Sequence, residues 1–209
     1  MSKAGLDYRN ASFLTSAETL SQCPGDNALE AAFIGRSNAG KSSAINILTE
    51  QPKLARTSKT PGRTQLLNYF VITDNRYLVD LPGFGYAKVP PKMKQKWEKE
   101  LTRYLEERQS LKGVILLVDI RHPFKDSDMM IIDWASRSKM PLHVLLTKAD
   151  KLKHGAAKAK LLAAQKQIKT YGRHISLQLF SALKGDGVND LRKQLNAWLN
   201  SNLEALERP

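Results

Sequence analysis

The sequence predicts an α/β fold in which a six-stranded, mostly parallel sheet has one antiparallel edge strand and carries helices on both faces. Three observations predict it. Apolar runs of strand length alternate with segments of helix length along the chain, and a glycine-rich loop joins the first such strand to the first helix. The turn at residues 73–76 is so short that the two runs around it must form an antiparallel hairpin.

Six runs have the length and apolar content of buried strands. They cover residues 29–34, 66–72, 77–81, 114–120, 142–146 and 175–180. The predicted helices cover residues 41–48, 91–108, 127–137, 155–171 and 188–206. In sheets of this kind ligands bind beyond the carboxyl ends of the strands, and the motifs described below lie at those ends.

Length and composition indicate a single cytoplasmic domain. The chain has 209 residues, of which 42% are hydrophobic, enough for one buried core. We expect a domain at residues 27–206 after an N-terminal extension at residues 1–26. The apolar runs are too short to span a bilayer and the N-terminus lacks the apolar core of a signal peptide, so we expect no membrane partner. A single cysteine, Cys23, and four scattered histidines argue against disulfides and a histidine-held metal.

The net charge is +13 and the sequence pI is near 9.8. Such an excess of positive charge predicts a polyanionic partner, such as nucleic acid or anionic lipid. The alternative is that the excess lysine serves only solubility.

The glycine-rich loop GRSNAGKS fits the pattern G-x-x-x-x-G-K-[ST] between a predicted strand and a predicted helix, as this motif requires. In such a loop, backbone N–H groups and the helix N-terminus bind phosphates, Lys41 contacts the β and γ groups, and Ser42 offers a hydroxyl to Mg²⁺. The predicted phosphate-binding residues are Gly35, Arg36, Ser37, Asn38, Ala39, Gly40, Lys41 and Ser42. The alternative is a glycine turn without a ligand.

A second motif, DLPG, closes the strand predicted at residues 77–81. Asp80 is placed to hold Mg²⁺ through water, and the Gly83 amide is placed to contact a γ-phosphate. On its own the pattern D-x-x-G is weak, because a common turn also satisfies it. It gains weight by following the phosphate loop at the end of the next parallel strand.

The polar segment TSKTPGRTQ lies between these two motifs. Segments of this kind order around a magnesium-bound γ-phosphate. We expect its residues Gly62, Arg63 and Thr64 to contact the nucleotide, with the Thr64 hydroxyl completing the metal site in preference to Thr60. A plain surface loop is the alternative.

A base-binding motif, TKAD, follows the strand predicted at residues 142–146. Asp150 can accept hydrogen bonds from N1–H and the exocyclic amine of guanine, a donor pair that adenine lacks, so it predicts GTP rather than ATP. Lys148 would lie along the base. Thr147 stands where the usual guanine motif has Asn, which removes one amide contact. After the last strand come Ser181 and Ala182, of which Ala182 offers a backbone N–H to the guanine O6.

These motifs, in this order and each at a strand end, predict a Ras-like P-loop G domain that binds GTP and GDP with Mg²⁺. Together, GRSNAGKSS, SKTPGRTQ, DLPGFGYAKVP, DIRHP and TKADK resemble the EngB family of bacterial ribosome biogenesis GTP-binding proteins, over about residues 8–198. The resemblance implies a role in assembly of the large ribosomal subunit and Mg²⁺ ligands at Ser42 and Thr64, in a family that accepts Thr147. We expect slow intrinsic GTP hydrolysis by a monomer.

Phe84 follows DLPG and cannot orient water, so this chain needs another group where many GTPases have a glutamine. In bacterial GTPases related to the family, an Asn at the position of Asn38 helps to hold a potassium ion. The resemblance therefore implies that Asn38 holds K⁺, which would offset developing charge, with Lys41 and Gly83 as the other catalytic groups. The alternative is that Asn38 hydrogen-bonds its own loop.

Two lysine-rich segments are candidates for contact with ribosomal RNA; the alternative for both is an ordinary solvated surface. The helix at residues 91–108 carries Lys92, Lys96, Lys99 and Arg103 on one face. A second cluster follows TKAD at Lys151, Lys153, Lys158, Lys160, Lys166 and Lys169. The second cluster has no interleaved Phe, Trp or Tyr, which favours contact with the phosphate backbone and salt-dependent binding.

Three other functions fit parts of this pattern. They are a small-molecule kinase or ATPase, a signalling GTPase that has a protein effector and does not bind RNA, and a polymerising GTPase. The TKAD motif and the lack of a lid segment count against the kinase.

Overall fold

The structure, a computed structural model, describes residues 5–55, 66–84 and 91–200. In the helix that begins at residue 91, it describes the side chains from residue 99 onwards. In the described part of the chain, seven strands form one sheet in the order β1-β3-β4-β2-β5-β6-β7. The strands are β1 (Ser12–Ala17), β2 (Leu29–Gly35), β3 (Leu67–Thr73), β4 (Arg76–Asp80), β5 (Leu111–Asp119), β6 (Leu142–Thr147) and β7 (Ile175–Leu179). The helices are α1 (Lys41–Thr49), α2 (Pro91–Glu107), α3 (Asp126–Ser138), α4 (His154–Ile168) and α5 (Val188–Leu199).

The predicted α/β class is confirmed, but the predicted number of six strands is wrong. The missed strand is β1, which lies at the edge and pairs antiparallel with β3. The antiparallel strand β3 is therefore not an edge strand, since it lies between β1 and β4. The segment SFLTSA gives no apolar run because Phe13 and Leu14 are its only large apolar residues, and the structure leaves both exposed. The register also shifts between Phe13 and Thr15. Pairing with β3, rather than its own hydrophobic pattern, defines this strand.

The remaining elements lie close to their predicted positions. β3 and β4 form the predicted antiparallel hairpin, and Asn75 in its turn has φ 56°, a conformation that asparagine tolerates. β5 begins at Leu111, three residues before its predicted start. The prediction began too late because Lys112 and Gly113 interrupt the apolar run. The last helix, predicted over residues 188–206, ends at Leu199, where Asn200 is its C-cap, and residues 201–206 lie outside the described part of the chain.

Helices cover both faces of the sheet, as predicted. On one face, α2, α3 and α4 bury side chains such as Tyr104, Ile132 and Ile168 against the sheet. On the other face, α1 and α5 bury side chains that include Leu48 and Leu195. Burial of each large apolar side chain contributes about 2 kcal/mol to folding, so the central strands are fixed from both sides. No helix in the described ranges is long and apolar enough to cross a membrane.

A buried ionic network fixes the end of the sheet at which β2 begins. Glu30 is fully buried, and its carboxylate accepts hydrogen bonds from Arg108 Nη2 at 2.5 Å and from the Tyr104 hydroxyl at 2.8 Å. Arg108 also pairs with Asp26, 3.0 Å away, and Asp26 accepts a 2.7 Å hydrogen bond from the Ser110 hydroxyl. These contacts hold the segment before β2 against the C-terminal end of α2.

Candidate nucleotide-binding site

The motifs found in the sequence meet on the side of the sheet where its parallel strands have their carboxyl ends. β2, β4, β5, β6 and β7 form parallel pairs, so their carboxyl ends lie side by side. The loop between β2 and α1, the residues after β4 and the loops after β5, β6 and β7 all leave the sheet there. Each predicted site residue in the described part of the chain lies on this side.

The phosphate loop runs from Gly35 to Gly40 and opens directly into α1. Gly40 has φ 96° and is the N-cap residue of the helix, a left-handed conformation that favours glycine. Gly35 lies so close to β5 that a β-carbon on it would be 2.7 Å from the carbonyl oxygen of Leu117. The chain can therefore lie this close to Leu117, where β2 ends and the loop begins, only with glycine at that position.

The first two motifs are joined by an ion pair. The Lys41 ammonium contacts the Asp80 carboxylate at the end of β4, and Asp80 is only 4% exposed. Lys41 begins α1, so its contact with Asp80 connects the phosphate loop to the DLPG segment. The predicted phosphate-binding lysine and the predicted magnesium carboxylate are thus neighbours.

The residue after DLPG is an internal anchor. The Phe84 amide donates a 3.2 Å hydrogen bond to the Gly35 carbonyl, and the Ser37 amide donates one of 3.1 Å to the Phe84 carbonyl. The Phe84 ring is buried in the hydrophobic core. Phe84 therefore holds DLPG beside the phosphate loop, with Gly83 next to Ser37, and its ring is packed away from solvent.

Arg36 extends from the phosphate loop towards α3. Its Nε lies 3.9 Å from Oδ1 of Asp128, which is fully buried and has no hydrogen-bond partner at that oxygen. The other oxygen of Asp128 accepts a 3.1 Å hydrogen bond from the Lys125 amide and caps α3. Burial raises the pKa of Asp128. Sequence reasoning missed Asp128, because its partner lies far away along the chain.

The base motif contacts the phosphate loop at two points. The Thr147 hydroxyl donates a 2.7 Å hydrogen bond to the carbonyl of Ala39. The Lys148 ammonium donates one of the same length to the carbonyl of Asn38, which has φ 63° and is exposed. The hydroxyl of Thr147 thus supplies a connection to the loop even though the usual amide is absent.

Asp119, at the end of β5, holds Lys148 in place. Its carboxylate lies 2.9 Å from the Lys148 ammonium and receives hydrogen bonds of 2.9 and 2.7 Å from the Arg121 guanidinium. The hydrogen bonds from Arg121 and then Lys148 lower the pKa of Asp119 well below its usual range. The stretch DIRHP contributes to the family resemblance, but no role was predicted for Asp119 within it; a carboxylate at a strand end was the available signal.

Asp150 is oriented by Ser181. The Ser181 hydroxyl donates a 2.7 Å hydrogen bond to the Asp150 carboxylate, which lowers the pKa of Asp150. The backbone adds a second connection, since the Ala149 amide donates a 3.1 Å hydrogen bond to the Phe180 carbonyl. Ala182, the predicted contact to guanine O6, follows directly and is half-buried. Asp150 therefore presents a charged acceptor beside the last loop.

The residues present fit a magnesium ion held together with phosphates. Ser42 stands in the first turn of α1 and Asp80 at the end of β4, and hydroxyl and carboxylate oxygens are the donors that Mg²⁺ prefers. Mg²⁺ bound with nucleotides commonly uses one or two protein oxygens plus phosphates and water. The predicted site residues Gly62, Arg63 and Thr64, with the alternative Thr60, lie outside the described residues.

The sequence matches a known protein family and several close relatives. Residues 30–148 match the family described as 50S ribosome-binding GTPase. The chain is 52% identical over 202 residues to a protein of Vibrio vulnificus described as "Probable GTP-binding protein EngB", covering 97% of this chain and 94% of that protein. A protein of the same description from Photobacterium profundum is 53% identical over 199 residues, with coverages of 95% and 85%.

Solved structures share the fold. A crystal structure described as that of a probable GTP-binding protein engB aligns with a TM-score of 0.66 at 22% identity and covers 83% of this chain and all of that one. The structure of Era in complex with MgGDPNP and nucleotides of 16S ribosomal RNA aligns with a TM-score of 0.64 at 23% identity, covering 84% of this chain and 58% of that one. At these identities the likeness concerns the fold alone.

Proposed function

Because the chain belongs to the EngB family of GTP-binding proteins, we propose that it is a GTP-dependent switch that hydrolyses GTP slowly and acts in assembly of the large ribosomal subunit. The observation that carries the choice of nucleotide is the arrangement of TKAD. Lys148 contacts the phosphate loop, and Asp150, two residues later, presents a carboxylate oriented by Ser181. A nucleotide bound to the loop would thus meet a guanine-selective acceptor.

The phosphates would be bound by the loop amides, the α1 N-terminus and Lys41. Lys41 now pairs with Asp80, and we infer that it exchanges this carboxylate for the β- and γ-phosphates when nucleotide binds. Asp80 is then available to hold Mg²⁺ through water, with Ser42 and Thr64 as direct ligands. The ion would supply positive charge to the bridging oxygens of the phosphates.

The γ-phosphate would be sensed after β4. The DLPG segment lies along the phosphate loop through the two hydrogen bonds of Phe84, and Gly83 next to Ser37 is placed to contact a γ-phosphate through its amide. Loss of that phosphate on hydrolysis removes the contact. Gly62, Arg63 and Thr64 are proposed to contact the same phosphate from the preceding segment.

Hydrolysis would proceed without a glutamine. The buried Phe84 ring cannot orient water, and we propose that Asn38 in the phosphate loop holds a potassium ion instead. Lys41 and the Gly83 amide would stabilise the charge that develops on the transferred group. This arrangement predicts slow turnover that a partner or potassium accelerates.

The ribosomal part of the proposal is supported by the family and by charge. The matching family is described as ribosome-binding, and the net charge of +13 suits a ribosomal RNA partner. We propose a cytoplasmic monomer whose G domain covers residues 27–206 and whose N-terminal extension adds β1 to the sheet of that domain.

Co-sedimentation with purified large ribosomal subunits tests this function, with a non-hydrolysable GTP analogue, GDP or no nucleotide at near-physiological salt. We expect the most pelleting with the GTP analogue. Equal pelleting in all three states would reduce ribosome binding to general attraction between charges.

Further outcomes would favour the other functions. No pelleting would favour a signalling GTPase with a protein effector. Displacement of guanine nucleotide by ATP would favour a kinase or ATPase, and nucleotide-dependent self-assembly would favour a polymerising GTPase.

A further inference from the structure

One stretch of the chain carries most of its excess positive charge. Residues 151–185 contain eight Lys and Arg and no Asp or Glu, so about a sixth of the chain holds eight of its thirteen net charges. The stretch comprises α4, β7 and the loops that flank them. The positive charge of the protein is therefore concentrated beside the edge strand β7.

The structure places these cations on an exposed surface built around α4. The helix packs its buried residues Ala157, Ala164 and Ile168 inwards, and the lysines project from its other faces. The basic α4 surface is defined by six exposed residues: Lys153, Lys158, Lys160, Lys166, Lys169 and Arg173. Lys158, Lys166 and Lys169 follow one side of the helix at intervals of about two turns and one turn.

The positive charge of this surface is not neutralised by neighbouring carboxylates. Within the described ranges, one cation of residues 151–185 forms an ion pair: the Lys151 ammonium lies 3.6 Å from the Asp150 carboxylate. The six residues of the basic α4 surface form no ion pair with the described carboxylates. Helix α2 differs, because its Arg103 pairs with Glu107 at 3.1 Å and Glu100 at 3.5 Å. Of the two basic segments, α2 and the lysine cluster after TKAD, only the cluster after TKAD has several cations without an acidic partner among the described residues.

The chemistry of the surface suits a phosphate backbone. None of the exposed residues between the lysines is acidic, and Ala156, Ala159 and Ala163 among them are small, so no carboxylate on this helix repels an anion. The exposed residues of α4 include no Phe, Tyr or Trp, and the imidazole of His154 at the first position of the helix is the one ring there on which a base could stack. Lysines without aromatic neighbours bind phosphates and do not read bases.

We propose that the basic α4 surface anchors the protein to the phosphate backbone of ribosomal RNA, equally in the GTP and GDP states. The inference rests on the proposed ribosomal function. α4 packs beside β7, and β2, β5 and β6 separate β7 from β4, where Asp80 and Gly83 lie. The part of the nucleotide nearest α4 is the base, which GTP and GDP share. Hydrolysis therefore changes the site at the end of β4 and leaves the α4 anchor unchanged.

The test measures the affinity for large ribosomal subunits with the GTP analogue and with GDP over a series of salt concentrations. The test variant is Lys158→Glu/Lys166→Glu. The control is Lys53→Glu/Lys193→Glu, which changes the net charge equally at exposed sites after α1 and on α5. An unchanged GDP affinity and an unchanged melting temperature establish that each variant is folded.

We expect the test variant to bind about tenfold more weakly than the control in both nucleotide states, with the slope of log affinity against log salt reduced by about 2. The ratio of the GTP-state to GDP-state affinities should equal that of the wild type. Equal losses in the test and control variants would overturn the α4 anchor, as would a loss confined to one nucleotide state. If the wild-type protein binds in neither state, the ribosomal function fails and the anchor fails with it.

Discussion

The Thr147 hydroxyl lies 2.7 Å from the carbonyl oxygen of Ala39 and joins the base motif to the phosphate loop. Both residues are buried, so this hydrogen bond forms away from water. The two ends of the proposed nucleotide site are thereby held at a fixed separation. Thr147 departs from the usual guanine motif in residue type but still connects that motif to the loop.

Thr147→Val should weaken GDP binding about tenfold. Valine has nearly the shape of threonine, but it leaves the buried Ala39 carbonyl without its donor, at a cost of about 1 to 2 kcal/mol. Thr147→Ser keeps the hydroxyl and should bind GDP within about threefold of the wild type. Competition against a fluorescent guanine nucleotide measures both. Equal affinity of the valine variant and the wild type would show that this contact does not support binding.

Asp119→Asn should lower the free energy of unfolding by about 1 to 3 kcal/mol at neutral pH, because Arg121 and Lys148 lose their charged partner. The folded-state pKa of Asp119 is lowered, so its stabilising effect is present above its unfolded pKa, about 4. The effect is lost as pH falls through the folded-state pKa. Urea unfolding from pH 7 down to pH 3 should therefore show a constant difference between the two proteins down to about pH 4 and a shrinking difference below it, and a pH-independent difference would contradict this assignment.

Asp150→Asn should change the preferred base. The carboxylate accepts from two donors of guanine, whereas an amide pairs one acceptor and one donor and thus suits xanthine, which has a carbonyl in place of the exocyclic amine. We expect GDP affinity to fall about a hundredfold or more and xanthosine diphosphate to become the better ligand. Ser181→Ala, which removes only the orienting hydrogen bond to Asp150, is the control and should cost about threefold to tenfold. Retained guanine preference in the asparagine variant would place the base elsewhere.

Potassium should accelerate GTP hydrolysis about tenfold or more over sodium at equal ionic strength, as expected for charge stabilisation beside the phosphates. In Asn38→Gly the two salts should give the same rate. Glycine is the suitable replacement because Asn38 has φ 63°, which glycine adopts without strain. Phosphate release under multiple-turnover conditions measures the rates. Equal wild-type turnover in both salts would rule out a potassium site.

Arg108→Ala should destabilise the protein by about 3 to 5 kcal/mol, because it leaves the fully buried Glu30 carboxylate without its cation. Glu30→Gln/Arg108→Met removes both charges and should cost clearly less. The network lies at the sheet end opposite the nucleotide site, so GDP affinity of the folded variants should be unchanged. Urea unfolding compares the three proteins, and equal losses for the single and double variants would show that the pair carries no special cost.

Sequence patterns alone predict the α/β class, the order of the helices and most strands, and the carboxyl-end edge at which the candidate site lies. They can do so because these features depend on local patterns. Apolar runs define the buried strands, the glycine-rich loop requires a strand before it and a helix after it, and the carboxyl ends of parallel strands share one edge. The positions of Lys41, Asp80 and Asp150 at that edge follow from spacing alone.

The residues that meet across the fold become known only from the folded chain. β1 is a strand because β3 pairs with it, although its own residues are largely exposed. Asp119 acquires its role from Lys148, and Phe84 is an anchor because the core encloses its ring. The same holds for charge, since the sequence counts lysines but the structure shows that α2 pairs Arg103 with acids while the basic α4 surface lacks such partners in the described chain. Strand pairs and ion pairs form between residues distant in sequence, so local patterns cannot specify them.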